Sequence, residues 1–366
     1  MSNKKLLYFA SDYKIGLSSL LTDQLISLHA SGVDVVAVAG EKEQEKGLAK
    51  VIADNGIRLV RIEGLDEHSN FSKLVKILQS IIIQQKISII HVQNNWQLGL
   101  VAMIKSKLCL KHKLEIAYTI HGFRHNSTVK SRIAQVIIGT ALFMFADHVI
   151  CMTDYLRKKF RLLSYKIEMI PLGINDEYFI SEYIPPITDG LHLIFPAQFR
   201  EGKNQDLIIR SFAKFIYESK DMKSTLTLPG NGDLMERMKQ LAKDLGIAQR
   251  VFFPGFISKK DVKRLYLESN AAIVASNSET FGQSIVEPYV LGRCVISTPV
   301  GIAPEIINDE ENGFIFKNEG DLVNIFKRIS ANPSILGTIG KNNYGRRNTF
   351  TWLNVSGKYN KSLNLK

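Results

Sequence analysis

Short β-branched runs alternate with longer amphipathic stretches along nearly the whole chain, and this alternation limits the folds that are open to it. The strand candidates are residues 6–10, 33–39, 57–62, 87–92, 115–120, 148–152, 167–170, 191–197, 224–228, 251–253, 271–275, 294–297 and 314–316. The helix candidates between them are residues 17–30, 71–85, 153–162, 205–217, 233–245, 259–268 and 283–291. Strands joined by helices form parallel sheets with helices on both faces. The sequence therefore predicts an α/β fold.

A proline- and glycine-rich stretch divides this pattern into two halves. Residues 171–173 (Pro-Leu-Gly) close the first half, and residues 183–190, with two prolines and a glycine, precede the second. A chain of 366 residues is also long for a single core. We expect two doubly wound domains, residues 1–180 and 190–345. Such a pair leaves a cleft between the carboxyl ends of its strands, where open α/β sheets bind ligands.

Composition excludes several classes of protein. Hydrophobic residues make up 45% and charged residues 22% of the chain, which is typical of a globular protein and not of a disordered or fibrous one. Three scattered cysteines exclude a disulfide framework and a zinc cluster.

The apolar stretch after Lys5 is too short for a signal peptide, so we expect a cytoplasmic protein. Residues 133–150 are apolar, but Asp147 would be costly in a bilayer, so we expect a buried helix followed by a strand.

Positive charge is concentrated in two parts of the chain, whose formal net charge is +12. Residues 101–170 contain 12 basic and 4 acidic side chains, and residues 341–366 contain six basic and no acidic ones. A basic surface can attract nucleic acid, anionic lipid or an anionic ligand, or it can simply be solvated. No nucleic-acid recognition motif accompanies these charges, so we expect no nucleic acid partner.

The strongest candidate site is the loop and helix start that follow the strand candidate 271–275. Gly282 lets the backbone approach a ligand closely, and the amides of Phe281, Gly282 and Gln283 would favour oxygen atoms at a helix N-terminus. Glu279 and Glu287, eight residues apart, can each accept paired hydrogen bonds from a diol of one extended ligand. The alternative is a capping acid followed by an acid on the helix surface.

These residues resemble a known family. Glu-x7-Glu with Phe-Gly inside it, followed by residues 291–298 and 301–305, is similar to the donor-site signature of the family 4 retaining glycosyltransferases of the GT-B fold. The resemblance extends to four further segments, residues 120–123, 195–204, 228–232 and 253–256. It implies two facing Rossmann-like domains with parallel sheets, and a tail (residues 350–366) that packs back on the first domain.

The resemblance assigns roles in the second domain. The donor would be a nucleoside diphosphate sugar, with a UDP-sugar favoured. Glu287 would bind the ribose diol, Glu279 the hydroxyls of the transferred sugar, and Lys203 the diphosphate, whose charge grows as the glycosidic bond breaks. Gly230 and Phe256 belong to the segments on the side of the base.

Three further candidates follow from the resemblance. Gly16 would bring a helix N-terminus to the phosphates. Arg200 is the guanidinium nearest to Lys203 in sequence and a candidate phosphate contact, because Gln198 stands where the family often has arginine. His121 follows a strand and, as a neutral imidazole, would donate to a sugar hydroxyl and shape the anomeric site. His91 and His125 are weaker candidates, and a structural loop histidine is the alternative.

The implied activity is hexosyl transfer with retention and without a cofactor. No Asp-x-Asp motif and no metal-ligand spacing is present, so we expect no metal. The expected partners are the nucleotide sugar, a glycan or undecaprenyl-diphosphate-linked acceptor, and an anionic membrane surface at which the protein is peripheral. The expected setting is bacterial surface polysaccharide synthesis, meaning O-antigen, lipopolysaccharide or capsule. The alternatives are another GT-B enzyme, such as a sugar-nucleotide epimerase or a phosphorylase, and a non-catalytic sugar-nucleotide-binding protein.

Overall fold

The structure is a computed structural model that describes residues 4–9, 15–40, 48–65, 70–108, 113–121, 137, 139–140, 142, 144–160 and 165–365. The chain divides into two compact units. Unit 1 consists of residues 1–173 and 352–366, and unit 2 of residues 174–351.

Unit 1 is a seven-stranded parallel sheet with helices on both faces. Its elements are β1 (Leu6–Phe9), α1 (Ile15–Ala30), β2 (Val35–Ala39), α2 (Leu48–Asp54), β3 (Arg58–Arg61), α3 (Phe71–Gln84), β4 (Ile89–Val92), α4 (Asn95–Leu108), β5 (Glu115–Ile120), β6 (His148–Cys151), α5 (Asp154–Lys159), β7 (Ile167–Met169) and the C-terminal helix (Trp352–Leu363). The strand order is β3-β2-β1-β4-β5-β6-β7. The order reverses between β1 and β4, which is the position where doubly wound sheets bind ligands.

The core of unit 1 explains why these segments form strands and helices. All residues of β1, β2 and β4 are buried, as expected for parallel strands covered on both faces. Helix α3 buries one stripe of side chains (Leu74, Val75, Leu78 and Ile82), and each such burial stabilises the fold by about 1.5–3 kcal/mol.

The C-terminal helix is an integral part of unit 1. Ser356 on this helix shares a 2.6 Å hydrogen bond with Ser27 on α1, and Asn360 donates to Ser31 over 3.0 Å. A Cβ on Gly173 would lie 2.3 Å from the indole of Trp352, so only glycine lets the chain pass the start of this helix.

Unit 2 repeats the plan with six parallel strands. Its elements are β8 (His192–Ile194), α6 (Gln205–Ser219), β9 (Thr225–Thr227), α7 (Met235–Asp244), β10 (Val251–Phe252), α8 (Lys259–Glu268), β11 (Ala271–Val274), α9 (Gln283–Val290), β12 (Cys294–Ser297), α10 (Ala303–Ile306), β13 (Phe314–Ile315), α11 (Glu319–Ala331) and α12 (Ser334–Arg346). The strand order is β10-β9-β8-β11-β12-β13, so the reversal lies between β8 and β11.

The predicted α/β fold and all of the predicted strands are confirmed. The strand predicted over 191–197 ends earlier, at Ile194. Beyond this residue the backbone hydrogen bonds go to one side of the chain, where the Phe195 amide donates to the Thr227 carbonyl of β9 and the Ala197 amide donates to the Pro229 carbonyl in the next loop. The helix expected at the start of 133–150 lies mostly outside the described residues. No helix in the described part of the chain combines the length and apolar character that a bilayer span requires.

Candidate functional site

The loops that follow β8 and β11 form one connected edge in unit 2. These strands are direct neighbours, with Leu193 opposite Ala271. The Asn277 amide donates to the Gly202 carbonyl over 2.8 Å, and the Asn204 side chain donates to the Ala275 carbonyl over 2.7 Å. The two loops are therefore fixed to each other at the reversal point of the sheet.

Lys203 and Glu279 meet at this edge. The Lys203 ammonium donates to the Glu279 carboxylate, and the Ser276 hydroxyl donates to the same oxygen over 2.7 Å. The Lys203 and Glu279 side chains are 14% and 17% exposed. The alternative in which Glu279 caps the next helix is wrong, because its carboxylate contacts Lys203 and Ser276 and the N-cap position is occupied by Gly282.

Gly282 gives the loop the turn that it needs before α9. Its φ of 92° lies in the left-handed region, which favours glycine. Phe281 is buried, and its carbonyl would lie 2.3 Å from a Cβ placed on Gly301. The backbone therefore passes very close to a second loop here, while the first amides of α9, beginning at Gln283, lie at a helix N-terminus that favours anionic oxygen.

Glu287 occupies a different environment one helical turn further on. Burial raises the pKa of its carboxyl group to about 7, and Lys259, Tyr178 and Tyr266 partly oppose that rise. The carboxyl group is therefore close to half protonated at neutral pH. Glu287 is not the acid on the helix surface that the alternative interpretation assumed.

Gly230 brings two loop backbones together beside this edge. A Cβ on Gly230 would lie 2.0 Å from the Ala197 carbonyl oxygen. Arg200 and Phe256 are exposed, with 82% of the Phe256 surface accessible. Neither side chain contacts the Lys203–Glu279 pair within the described residues, so their ligand roles stay predictions.

The predicted residues of unit 1 lie at the corresponding edge of the other sheet. His121 follows β5, and its Nε2 lies 2.6 Å from Oε1 of Gln93, which follows β4. Burial lowers the pKa of His121 to about 4, so the imidazole is neutral at pH 7. Gly16 lies in the first turn of α1. The loop before it, the segment after His121 and His125 lie outside the described residues.

Two polar residues of unit 1 had no role in the sequence-based prediction. Gln93 contacts His121, and Thr119 is buried beside His91. His91 itself was only a weak candidate, although it is a histidine within the otherwise apolar strand Ile89–Val92. A buried polar side chain needs a hydrogen-bond partner inside the protein. A histidine within an apolar strand therefore indicates that other polar side chains lie next to it.

Within the described residues, no group of three or more His, Cys, Asp or Glu side chains is placed to hold a metal ion. Metal independence stays a prediction.

Two family models match the chain. The model described as Glycosyltransferase Family 4 matches residues 16–178. The model described as Glycosyl transferases group 1 matches residues 182–346. Together the two matches take in nearly the whole chain, and each falls largely within one of the two units.

Several proteins have sequences that are similar to this chain at low identity. The EpsD protein of Bacillus subtilis (strain 168) is 26% identical over 249 residues, which are 63% of this chain and 64% of EpsD. The alpha-monoglucosyldiacylglycerol synthase of Streptococcus pneumoniae is 25% identical over 308 residues, which are 76% of this chain and 68% of the synthase. The matched region thus spans about two thirds of the length of each.

Solved structures are similar over the full chain. The crystal structure of Anabaena Alr3699/HepE in complex with UDP has a TM-score of 0.78 at 17% identity and covers 99% of both chains. The same protein in complex with UDP-glucose has a TM-score of 0.74 at 17% identity and covers 98% of this chain and 99% of that one. At this identity the likeness establishes the shared fold.

Proposed function

Because the chain belongs to the family 4 glycosyltransferases and has the GT-B fold, we propose that it transfers a sugar from a UDP-sugar to a glycan or lipid-linked acceptor, with retention. The observation that carries this proposal is the meeting of Lys203, Glu279 and the Gly282 turn at the reversal point of the second sheet. An ammonium beside a carboxylate provides a partner for a diphosphate and another for sugar hydroxyls within one small region.

The ion pair suggests how the donor would enter this edge. Without a ligand, Lys203 neutralises Glu279, and Ser276 donates a second hydrogen bond to the same carboxylate oxygen. A diphosphate would compete for the ammonium and free Glu279 to accept hydrogen bonds from the sugar. As the bond to the diphosphate breaks, charge accumulates on the leaving group, and Lys203 stabilises that charge.

The nature of the donor is supported by the structural neighbours. Alr3699/HepE was crystallised with UDP and with UDP-glucose, which favours a uridine nucleotide for this chain as well. A screen of UDP-, GDP-, ADP- and dTDP-sugars by thermal shift tests this point. At a ligand concentration of 100 times Kd, binding stabilises the folded state by about 2.7 kcal/mol. Stabilisation by a different nucleotide and not by UDP compounds would overturn the assignment of the donor.

The acceptor is proposed to be lipid-linked, in bacterial surface polysaccharide synthesis. The similar Streptococcus pneumoniae synthase is by name an enzyme of glycosyldiacylglycerol formation, and the segment 341–366 of this chain has six basic and no acidic side chains. Cosedimentation with anionic liposomes at low and high salt tests the membrane role. Each basic residue near an anionic surface contributes about 1 kcal/mol, and salt screens that attraction. Equal binding to neutral and anionic vesicles would contradict it.

A turnover assay separates transfer from the other activities of this fold. Donor is incubated with and without acceptor lipid extracts, and the products are followed by proton NMR. Transfer requires acceptor and yields a product with the donor's anomeric configuration. Donor epimerisation without acceptor indicates an epimerase, and tight donor binding without any turnover indicates a binding protein. Product of opposite configuration would remove the retaining assignment.

A further inference from the structure

A chain of buried polar groups runs inward from His121 through the first sheet. The His121 Nε2 lies 2.6 Å from Gln93 Oε1, and Gln93 Nε2 lies 3.4 Å from His91 Nδ1. His91 Nε2 lies 2.7 Å from the Thr119 hydroxyl. His91, Gln93 and Thr119 are 0%, 4% and 1% exposed, so each depends on the others for hydrogen bonds.

The distances from the Gln93 side chain to the two histidine rings set the orientation of its amide. A separation of 2.6 Å suits a nitrogen that donates to a carbonyl oxygen and is too short for two nitrogens. The 3.4 Å separation on the other side suits the amide NH₂ donating to the ring nitrogen of His91. Gln93 Oε1 therefore faces His121, and the proton between them sits on His121 Nε2.

His121 consequently carries its one proton on Nε2, the nitrogen that faces Gln93, and its other ring nitrogen is also buried. Its pKa is lowered to about 4 by burial, so the ring has a single N–H at neutral pH. The other nitrogen, Nδ1, has no hydrogen-bond partner among the described residues. That nitrogen is left with a lone pair and without a proton.

The innermost of these hydrogen-bonded side chains, His91 and Thr119, are held by other elements of unit 1. The phenol of Tyr359, on the C-terminal helix, interacts with the side chains of Thr119 and of Gln24 on α1. Gln24 in turn accepts a 2.6 Å hydrogen bond from Tyr8. The His91 ring also packs against the rings of Tyr8 and Tyr359, with centroids 5.2 and 5.5 Å apart. The C-terminal helix thereby helps to hold His91 in place.

We propose that Gln93 is a positioning residue that keeps His121 in the Nε2–H tautomer. His121 then offers the buried Nδ1 as a hydrogen-bond acceptor to a substrate that reaches it, so that it can accept a hydrogen bond from a sugar hydroxyl and cannot donate one. The tautomer is a property of the protein alone. Its consequence for the reaction rests on the proposed function, in which His121 lies at the anomeric site.

The tautomer can be read directly by NMR on protein labelled with ¹⁵N in histidine. The expected wild-type spectrum at pH 7 has a protonated Nε2 and an unprotonated Nδ1 for His121, with the signals assigned by their loss in His121→Asn. A protonated Nδ1 in the wild type would overturn the proposal. This readout needs no substrate, so it decides the tautomer even if the proposed transferase activity is absent.

Two variants of Gln93 separate positioning from a merely structural role. Gln93→Leu removes the acceptor, so His121 should become a mixture of both tautomers. Gln93→Glu keeps an acceptor, so Nε2–H should persist while the added negative charge raises the pH at which His121 titrates. An unchanged tautomer in a folded Gln93→Leu variant would contradict the proposal. If that variant does not fold, an unshifted His121 titration in Gln93→Glu would contradict it.

A control variant and kinetics complete the test. His148→Gln removes an imidazole from the first residue of β6, outside the chain of groups, and should leave the His121 signals unchanged. In the transfer assay, Gln93→Leu should lower kcat about tenfold or more, by analogy with the loss of the partner that orients a metal-binding histidine. The donor KM should change less than kcat. A loss confined to KM would show that Gln93 serves binding and would overturn its positioning role.

Discussion

The two units share one sheet plan, but the described residues at the carboxyl edge of each sheet include polar groups of different kinds. In unit 1 the groups are neutral: His91 and His121 have lowered pKa values because they are buried, and Gln93 links them. In unit 2 the groups are charged, with Lys203 paired to Glu279 near the surface. A shared sheet plan therefore does not determine the chemistry of this edge, which depends on the side chains placed there.

The difference indicates two different tasks. A buried neutral network gains from fixed geometry, because every donor there must find its acceptor inside the protein. In a largely buried ion pair the cost of desolvation offsets much of the attraction, so a charged ligand can replace one partner. We infer that unit 1 supplies orientation and unit 2 supplies charge.

Removal of Lys203 is expected to have the largest effect on catalysis. Loss of a group that stabilises developing negative charge costs about 10²–10³ in kcat. Lys203→Ala should therefore lower kcat by that factor and raise the donor KM much less, as steady-state kinetics can measure.

The chain offers a matched control for this lysine. Lys223 pairs with Asp189 at the surface, where the two side chains are 66% and 71% exposed. Lys223→Ala should leave both kinetic parameters near their wild-type values. A Lys203→Ala variant with normal kcat and a raised KM would make the ammonium a ground-state contact only.

Much of the fold was predictable, because it depends on local pattern. Every predicted strand is present, and the ends differ by at most three residues. The structure adds several helices that were not predicted (α2, α4, α10, α11 and α12). In α4 (Asn95–Leu108) the buried residues surround much of the helix and so give a weak amphipathic signal. The end of β8 was not predictable, because a run of apolar residues does not show that the backbone beyond Ile194 makes hydrogen bonds on one side only.

The site was predictable only where the resemblance marked it. The pairing of Lys203 with Glu279 joins residues 76 positions apart, and the contact of His91 with Tyr359 joins β4 to the C-terminal helix. Neither pairing leaves a periodic trace in the sequence. The same is true of the surroundings of Glu287, whose carboxyl group is buried and interacts with Tyr178 and Tyr266 from two other segments.

Glu287→Ala should weaken donor binding by the next largest amount. Removing a charged hydrogen-bonding group costs about 1.5–3 kcal/mol, or about 10- to 150-fold in Kd. Calorimetric titration with UDP measures this loss. Glu268→Ala, which removes a carboxylate paired with Arg264 at the surface, is the control and should bind UDP normally. Equal UDP affinity in Glu287→Ala and the wild type would rule out the ribose contact.

The contrast between the units predicts a selective loss of stability in acid. The pKa of His91 is lowered from 6.5 to about 3 by burial, so the unfolded chain binds a proton that the folded unit 1 excludes. Stability from this group is complete above pH 6.5 and falls by about 1.4 kcal/mol per pH unit as the pH drops below it. Glu287 acts in the opposite direction on unit 2, because its pKa is raised.

Tryptophan fluorescence can follow this effect in one unit alone. Both tryptophans of the chain, Trp96 and Trp352, belong to unit 1. Urea titrations at pH 7 and pH 5 should give a lower midpoint at pH 5 when followed by this fluorescence. An unchanged or higher midpoint at pH 5 would show that His91 does not remain neutral in the folded unit.

The smallest expected effect is a pH dependence of donor binding that originates in Glu287. The pKa of its carboxyl group is about 7, so the group gains charge between pH 6 and pH 8. The ionised form accepts hydrogen bonds on both oxygens, whereas the protonated form turns one oxygen into a donor. UDP-glucose should therefore bind a few times more tightly at pH 8 than at pH 6. A UDP-sugar is the right probe because its diphosphate diester does not titrate in this range. Glu287→Gln, which is neutral at every pH, should abolish the dependence, and its persistence in this variant would assign it to another group.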